Sequence, residues 1–306
     1  MSSVTIDGQL YEEAWLEAEW SDIFVDIEGG PIKGPIPQNT RMKMCYDNQY
    51  LYVAFEILEE HIWAYLTKKN KPVYQYDSDI EAFIDPNGDS HNYYELELNA
   101  INTIWELSLD KPYRISGSPR DPDNMVGMNS AVHIRGTVND PRDVDTSWTV
   151  EIAFPWEGFK KYDAPALPPR AQDIWRINFS RVQWDTKIDG NQYEKIPDRR
   201  EHNWVWSPQH QINMHAPEFW GYLLFDEGKG CRKVSERDHQ VRLKMLELLD
   251  GNKRGAIKRL KRFEWQKLID KDFEHIVQKH HGGYVFSIKT KGKIFTITDQ
   301  GKYWVE

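Results

Sequence analysis

Acidic and amide side chains recur at every second position of one segment, Tyr93–Asn99. Alternate residues of an extended strand share one face, so Glu95, Glu97 and Asn99 are expected to point the same way. Glu81 lies on the preceding segment and adds a fourth oxygen-bearing side chain. Such a face cannot be an ordinary apolar core. It is either a solvated outer surface or a site where carboxylates hold the hydroxyl groups of a ligand.

Oxygen ligands at alternate positions are also the pattern that calcium prefers. Two runs of the sequence have it, and neither is an EF-hand loop, because a glycine follows at the wrong offset. For the second run a plain turn is the alternative explanation. The runs are Asp77, Asp79 and Glu81, and then Asp85, Asn87 and Asp89.

Aromatic residues are unusually frequent, with 13 Trp and 15 Tyr in 306 residues. Such an excess is common in β-rich proteins and in proteins that stack flat ligands such as sugars. The densest stretch is Asn203–Pro208, in which Trp204 and Trp206 would face the same way on a strand. These two rings either pack in a core or form a platform for a ligand.

The segments that must position these side chains have the pattern of short strands. Turn residues such as those of Asp85–Asp89 separate them, and only Tyr11–Glu19 has a helical pattern. The spacing predicts a mainly β fold, an antiparallel two-sheet β-sandwich over residues 1–226, in which Ile80–Asp85 pairs with Tyr93–Asn99. The predicted strands are Arg41–Tyr46, Leu51–Ile57, Ile80–Asp85, Tyr93–Asn99, Thr103–Leu109, Ala131–Arg135, Trp148–Phe154, Trp175–Phe179 and Gly221–Phe225.

Residues 227–306 have a different pattern, that of an α+β extension. Apolar residues at helical spacing predict helices around Val241–Leu249 and Ile269–Val277. A small β-meander is expected after them. Its strands are Tyr284–Ile288, Lys293–Thr298 and Lys302–Val305.

Charge separates the same two parts of the chain. Residues 1–228 carry 20 Lys and Arg against 38 Asp and Glu, whereas residues 229–306 carry 19 against 10. We therefore expect the basic extension to pack on the acidic sandwich. The acidic balance of the whole chain argues against nucleic acid as a partner. No apolar run is long enough for a membrane span, and two cysteines, Cys45 and Cys231, exclude a disulfide-rich scaffold.

Eight stretches of the first 226 residues form an ordered pattern. They are Ile6–Gly8, Glu12–Trp15, Tyr46–Ala54, Asp79–Pro86, Tyr93–Asn99, Trp148–Trp156, Trp175–Phe179 and Phe219–Gly221. In this order they resemble the family 9 carbohydrate-binding modules and their relatives. The resemblance implies a two-sheet β-sandwich that binds the ends of sugar chains, often attached to enzymes that act on xylan or other plant polysaccharides.

The resemblance also implies site residues, with departures from the family pattern. Glu81 matches the family's hydroxyl-binding carboxylate, whereas Glu97 stands in place of an arginine. The family holds its sugar between two tryptophans, where this chain has Gln75 and Asn213–His215. Other aromatic rings are therefore expected to substitute. The implied ligand-binding set is Tyr76, Glu81, Glu95, Glu97, Asn99, Trp105, Trp204, Trp206 and His215.

The resulting prediction is non-catalytic binding of an oligo- or polysaccharide, of plant or bacterial origin, as an accessory to polysaccharide degradation. Other polysaccharide-degrading proteins are the expected partners, and calcium is the candidate cofactor. The resemblance implies an extracellular or periplasmic location, although no signal segment opens this chain. Two alternatives remain open. Paired carboxylates could serve a glycoside hydrolase, and similar sandwiches bind haem through Met and His, for which Met44, Met214 and His215 are available.

Overall fold

The computed structural model describes residues 4–32, 39–226, 235–249 and 253–306. Strands are the predominant secondary structure of the described residues. The strands are β1 Val25–Asp26, β2 Thr40–Tyr46, β3 Tyr50–Leu58, β4 Asp79–Asp85, β5 Tyr93–Asn99, β6 Ile104–Leu109, β7 Pro119–Arg120, β8 Asn129–Arg135, β9 Ser147–Pro155, β10 Ile174–Gln183, β11 Thr186–Asp189, β12 Gln192–Lys195, β13 His202–Val205, β14 Gly221–Leu224, β15 Glu274–His280, β16 Gly283–Thr290, β17 Lys293–Thr298 and β18 Tyr303–Val305. The α-helices are α1 Glu13–Glu17, α2 Glu236–Leu249 and α3 Lys253–Arg262, and 3₁₀ helices cover Val73–Gln75, Tyr113–Ile115, Trp156–Tyr162, Pro217–Phe219 and Trp265–Lys267.

Two antiparallel sheets form the sandwich in the first part of the chain, and β11 and β12 pair as a separate two-stranded sheet. The larger sheet has the strand order β1-β13-β10-β4-β5-β6-β7, and β14 pairs with the first half of β10. The smaller sheet has the order β2-β3-β9-β8. Ile80 stands opposite Leu98, and Ile84 opposite Tyr94, so the predicted pairing of β4 with β5 is confirmed. The predicted fold class, a mainly β two-sheet sandwich, is confirmed as well.

Apolar side chains fill the space between the two sheets. Val53 and Ile152 of the smaller sheet belong to the same buried cluster as Ala82, Leu96 and Phe179 of the larger sheet. Full burial of a side chain such as Val, Ile, Leu or Phe stabilises a fold by about 1.5–3 kcal/mol. This core fixes which residues of each strand face outwards.

The alternation along β4 decides where its polar residues lie. Ile80, Ala82 and Ile84 all belong to the core between the sheets. Successive side chains of a strand point to opposite faces. Asp79 and Glu81 therefore lie on the outer face of the larger sheet, away from the smaller one.

The described residues of the extension form two α-helices and a separate four-stranded antiparallel sheet. The sheet has the order β15-β16-β17-β18. Buried residues of the helices and of the sheet form one cluster, which includes Met245, Trp265, Phe286 and Ile297. The three predicted strands of the meander are present as β16, β17 and β18.

The helix expected around Ile269–Val277 is wrong. Its last residues belong to β15, in which Val277 pairs with Phe286 of β16. The connection between the two strands is only His281–Gly282, because His280 stands opposite Gly283. A short apolar pattern does not distinguish helix from strand, and pairing across this tight connection decides for the strand.

Polar contacts join the extension to the sandwich at the turn after β4. Lys302 Nζ lies 2.9 Å from a carboxylate oxygen of Asp89, and the amide of Tyr303 donates to the carbonyl oxygen of Asp89 at 3.1 Å. Arg242 donates to Ser90 Oγ at 2.6 Å. The boundary near residue 226 stays a prediction, because residues 227–234 lie outside the described part of the chain.

Two further predictions concern the membrane and the cysteines. No helix in the described ranges is long and apolar enough to cross a membrane. Cys45 is a buried free thiol, and burial, with a smaller contribution from the Asp47 charge, raises its pKa to about 12. Cys231 lies outside the described residues.

Candidate functional site

Three glutamates lie together on the outer face of the larger sheet. The register of β4 and β5 places Glu81 opposite Glu97 and Phe83 opposite Glu95. Because residues two apart on a strand share a face, Glu95 points the same way as Glu97. Each glutamate is at most 5% exposed. The alternative of a solvated outer surface is therefore wrong, because other parts of the chain cover this face.

A cavity of about 370 Å³ lies over the glutamates. Trp105 of β6, which stands opposite Glu97, lines it together with Tyr74 and Tyr113 from two 3₁₀ helices. Its volume lies at the lower end of the range for small-molecule pockets, about 300–1,000 Å³. The other lining residues are Ile27, Glu81, Phe83, Glu95, Leu107, Val182, Glu201, Asn203, Ile212, Asn213, Met214 and His215.

The charged side chains that line the cavity are acidic. None of the described residues that line it is a lysine or an arginine. Burial raises the pKa of Glu81 to about 7. Burial and then the Glu81 charge raise the pKa values of Glu95 and Glu97 well above their ordinary range. Such a site repels anions and suits a ligand rich in hydroxyl groups or a cation.

His215 closes one side of the cavity as a neutral ring. Its Nδ1 lies 3.1 Å from the hydroxyl oxygen of Tyr93, and its Nε2 lies 3.7 Å from Glu95 Oε2. Burial lowers the pKa of His215 to about 4, so the approach to Glu95 is not an ion pair at neutral pH. Tyr113 stands edge-on to the ring, with 4.7 Å between the ring centroids.

Aromatic rings form the wall beside the glutamates. Trp105 Nε1 donates to Asp121 Oδ1 at 2.6 Å, which fixes the orientation of the indole. Tyr113 keeps 46% of its surface exposed. The sequence predicts Trp105 for this role but does not point to Tyr113 or Tyr74, because both lie on short 3₁₀ helices in loops that no strand pattern connects to the site.

Three rings of the predicted platform lie elsewhere. Trp204 has no exposed surface and belongs to the core between the sheets. Trp206 packs against that core, with its ring 5.9 Å from that of Phe179. Tyr76 is half exposed but does not line the cavity. The alternation that favours a platform at Trp204 and Trp206 fits core packing equally well, and core packing is what the structure has.

Asn99 has a structural role next to the site. Its Nδ2 donates to Asp77 Oδ2 at 2.8 Å and to the carbonyl oxygen of Leu66 at 3.0 Å. Its Oδ1 accepts a hydrogen bond from the amide of Thr103 at 2.8 Å. These bonds fix the end of β5, so Asn99 holds the backbone and does not line the cavity.

The second run of predicted calcium ligands forms a turn. The two carboxylate oxygens of Asp85 accept hydrogen bonds from the amides of Gly88 and Ser90 at 2.9 and 2.8 Å. Asn87 Nδ2 donates to Asp89 Oδ2 at 2.8 Å. The plain-turn explanation therefore describes Asp85, Asn87 and Asp89, because donors of the protein already occupy these oxygens.

Two carboxylates of the first run, those of Asp77 and Asp79, have different surroundings. Asp77 accepts hydrogen bonds from the amides of Tyr65 and Leu66 at 3.0 and 2.9 Å. Asp79 has no exposed surface, and within the part of the chain that the structure describes neither of its carboxylate oxygens has a hydrogen-bond partner. Asp77 is thus a structural residue, whereas Asp79 remains available to a ligand.

The methionines of the haem alternative lie in different parts of the sandwich. Met44, on β2 of the smaller sheet, packs against the core. Met214 and His215 line the cavity outside the larger sheet. Met44 and His215 therefore do not face one common haem site.

A sequence comparison assigns most of the sandwich to one family. The family described as "Carbohydrate family 9 binding domain-like" matches residues 6–225, which is more than half of the chain. None of the curated proteins gives a significant match to the sequence.

One solved structure with 16% sequence identity shares the fold. It is a protein from Bacteroides uniformis described as a candidate carbohydrate-binding protein, with a TM-score of 0.50, covering 68% of this chain and 87% of that chain. Two further matches, also with 16% sequence identity, are structures of a family 9 carbohydrate-binding module from Caldicellulosiruptor kristjanssonii, in complex with cellotriose and with glucose. Their TM-scores are 0.47 and 0.48, and both cover 76% of this chain and 96% of that chain.

Proposed function

We propose that this chain, which belongs to the carbohydrate family 9 binding domain-like family, binds a carbohydrate without catalysing its reaction. The binding site is the cavity over Glu81, Glu95 and Glu97.

One observation carries the proposal: a floor of carboxyl groups and a wall of aromatic rings line the same cavity. A pyranose ring has an apolar C–H face and a polar rim of hydroxyl groups. Trp105 and Tyr113 suit the apolar face, and Glu81 and Glu97 suit the hydroxyls. A carboxylate accepts hydrogen bonds, and a protonated carboxyl also donates one, so either form can satisfy a buried hydroxyl group.

The same carboxyl groups favour binding over glycoside hydrolysis. Hydrolysis by a carboxyl pair needs one protonated acid and one ionised partner, with environments that push their pKa values apart. Here burial raises the pKa values of Glu81, Glu95 and Glu97 in the same direction. We therefore expect the protein to bind oligosaccharides without releasing new reducing ends from them.

Family membership supports the wider role as an accessory to polysaccharide degradation. In this role the protein binds saccharides from plant or bacterial polysaccharides, outside the cell or in the periplasm, beside other polysaccharide-degrading proteins. Cell fractionation tests the location. Recovery only in the cytoplasm would contradict this part of the proposal.

A glycan array with the purified protein tests the function itself. Glu81→Ala should weaken binding to the preferred glycan by roughly ten- to a hundredfold, because ligand hydroxyls lose a buried partner. Tyr76→Ala is the matched control, since this ring is exposed but lies outside the cavity, and it should leave binding unchanged. Absence of binding to every glycan by the folded protein would refute the proposal.

A further inference from the structure

Three carboxylates meet at the edge of the cavity, and two of them line it. Asp79 and Glu81 are two apart on β4, and Glu97 stands opposite Glu81 on β5. One oxygen from each of the three lies within 4.8 Å of the other two. None of the three residues is more than 5% exposed.

Asp79 supplies an independent sign that something is bound there. Its side chain is fully buried and faces Glu81 and Glu97, and neither of its oxygens has a hydrogen-bond partner among the described residues. Glu81 Oε2 also lacks a partner, whereas Glu97 Oε2 accepts a hydrogen bond from the amide of Tyr74 at 3.0 Å. Buried polar atoms are nearly always paired, because an unpaired one has lost its water without compensation.

We propose that Asp79, Glu81 and Glu97 together bind a calcium ion. Calcium takes six to eight oxygen ligands at about 2.3–2.6 Å, so two oxygens on one ion are at most about 5 Å apart. The observed separation of no more than 4.8 Å meets this limit without movement of the strands. The ion would neutralise part of the charge that three carboxylates place in one buried position.

The position of the ion connects it with the cavity. Glu81 and Glu97 line the cavity, whereas Asp79 does not, so the ion would lie between Asp79 and the open space. Three carboxylates leave coordination positions free on calcium. Two neighbouring hydroxyl groups of a sugar can fill them. This last step rests on the proposed carbohydrate binding, and it names the ligand class as saccharides with vicinal hydroxyls.

Calcium binding is measured first, without sugar, on the full chain after treatment with a chelator and its removal. Calorimetry with calcium chloride should show one ion bound per chain. Asp79→Asn and, separately, Glu97→Gln should each weaken calcium binding at least tenfold. Glu157→Gln is the control, because this exposed carboxylate lies in a surface pair with Lys160, and it should change nothing.

Two separate substitutions are used so that the test still gives a result if one variant does not fold. Calcium should raise the melting temperature of the wild-type protein and of Glu157→Gln, but not that of whichever cluster variant folds. Absence of calcium binding to the wild-type chain would overturn the inference. So would calcium binding that neither Asp79→Asn nor Glu97→Gln weakens.

Sugar binding is then measured with calcium and with excess chelator. The proposed bridge predicts that the chelator weakens binding of the preferred glycan at least tenfold. Equal affinity in both conditions would overturn the bridge and leave the proposed function intact. If the protein binds calcium but binds no glycan in either condition, the proposed function is refuted instead.

Discussion

At the scale of single residues, the position of Glu81 in its strand shows which face of the sheet its side chain occupies, whereas the position of Trp204 does not. Glu81 alternates with core residues, so its outward direction could be predicted from the sequence. The burial of Glu81 could not, because it depends on loops that contribute Tyr74, Tyr113 and His215 from distant parts of the chain. For Trp204 the alternation left core and platform equally open, and the pairing of β13 with β10 places it inside.

Replacement of Trp204 separates these two roles. Trp204→Ala should lower the free energy of unfolding by about 3–5 kcal/mol, because it removes a fully buried indole from the core. The folded variant should bind the preferred glycan as the wild type does. Denaturant unfolding and calorimetry measure the two quantities. Normal stability together with lost binding would contradict the core assignment.

His215 should make stability depend on pH. Burial lowers its pKa to about 4 from the ordinary value of 6.5, so between these values the unfolded chain binds a proton that the folded chain excludes. The contribution of His215 is therefore fully present above pH 6.5 and is lost as the pH falls towards 4, by about 3 kcal/mol at most. Tyr93, Glu95 and Tyr113 contact the ring, and Arg114 donates to the carbonyl oxygen of His215. The raised pKa of Glu95 acts in the opposite direction.

The comparison with His215→Gln isolates this contribution. Urea unfolding of both proteins from pH 4.5 to 7.5 should show the wild type losing more stability on acidification than the variant. A stability difference that stays constant over this range would contradict the assignment of a buried neutral His215.

At the scale of elements, turn chemistry decided which predictions were correct. The β4–β5 hairpin was predictable because alternating strands flank the Asp85–Asp89 turn. The error at Ile269–Val277 also concerns a turn. The connection at His281–Gly282 is typical of a hairpin, whereas the spacing of the apolar residues before it favours a helix. The segment Ile212–His215, which lines the cavity, has no regular sequence pattern, and so its place over the sheet could not be predicted.

Gly88 tests the importance of this turn. Its φ of +68° is a left-handed conformation, and an added Cβ would lie 3.2 Å from Arg176 Cγ. Gly88→Ala should therefore destabilise the protein by roughly 1–2 kcal/mol in denaturant unfolding. Gly190→Ala is the matched control, because Gly190 has a φ of +62° but an added Cβ there would meet no atom of the described residues within 4 Å. Greater destabilisation by Gly190→Ala than by Gly88→Ala would contradict this view.

At the scale of the whole molecule, the extension contacts the sandwich on the turn that follows β4. Arg242 is buried, donates to Ser90, and lies over the ring of Tyr303 at 5.2 Å. Lys302 of the extension and Asp89 of the sandwich form an ion pair between the two parts. The charge difference between the parts was visible in the sequence, but the contacting residues were not, because they lie far apart along the chain.

Limited proteolysis tests whether this packing holds the extension in place. In the wild type, the protease should not rapidly cleave the chain near residues 227–229 and release a stable sandwich. Arg242→Ala should be cleaved faster, because it removes a buried hydrogen bond between the two parts. Arg237→Ala is the control, since its exposed ion pair with Asp270 lies within the extension. Rapid release of an intact sandwich from the wild type would contradict the packing.

The position of the bound carbohydrate is the most direct test of the central claim. A second cavity of about 550 Å³, lined by Phe219 of the sandwich and Leu243 of α2, offers a larger alternative site. A crystal structure with the glycan preferred on the array should show a sugar ring against Trp105 and Tyr113, with its hydroxyls directed at Glu81 and Glu97. A sugar bound in the second cavity, with the cavity over the glutamates empty, would contradict the account.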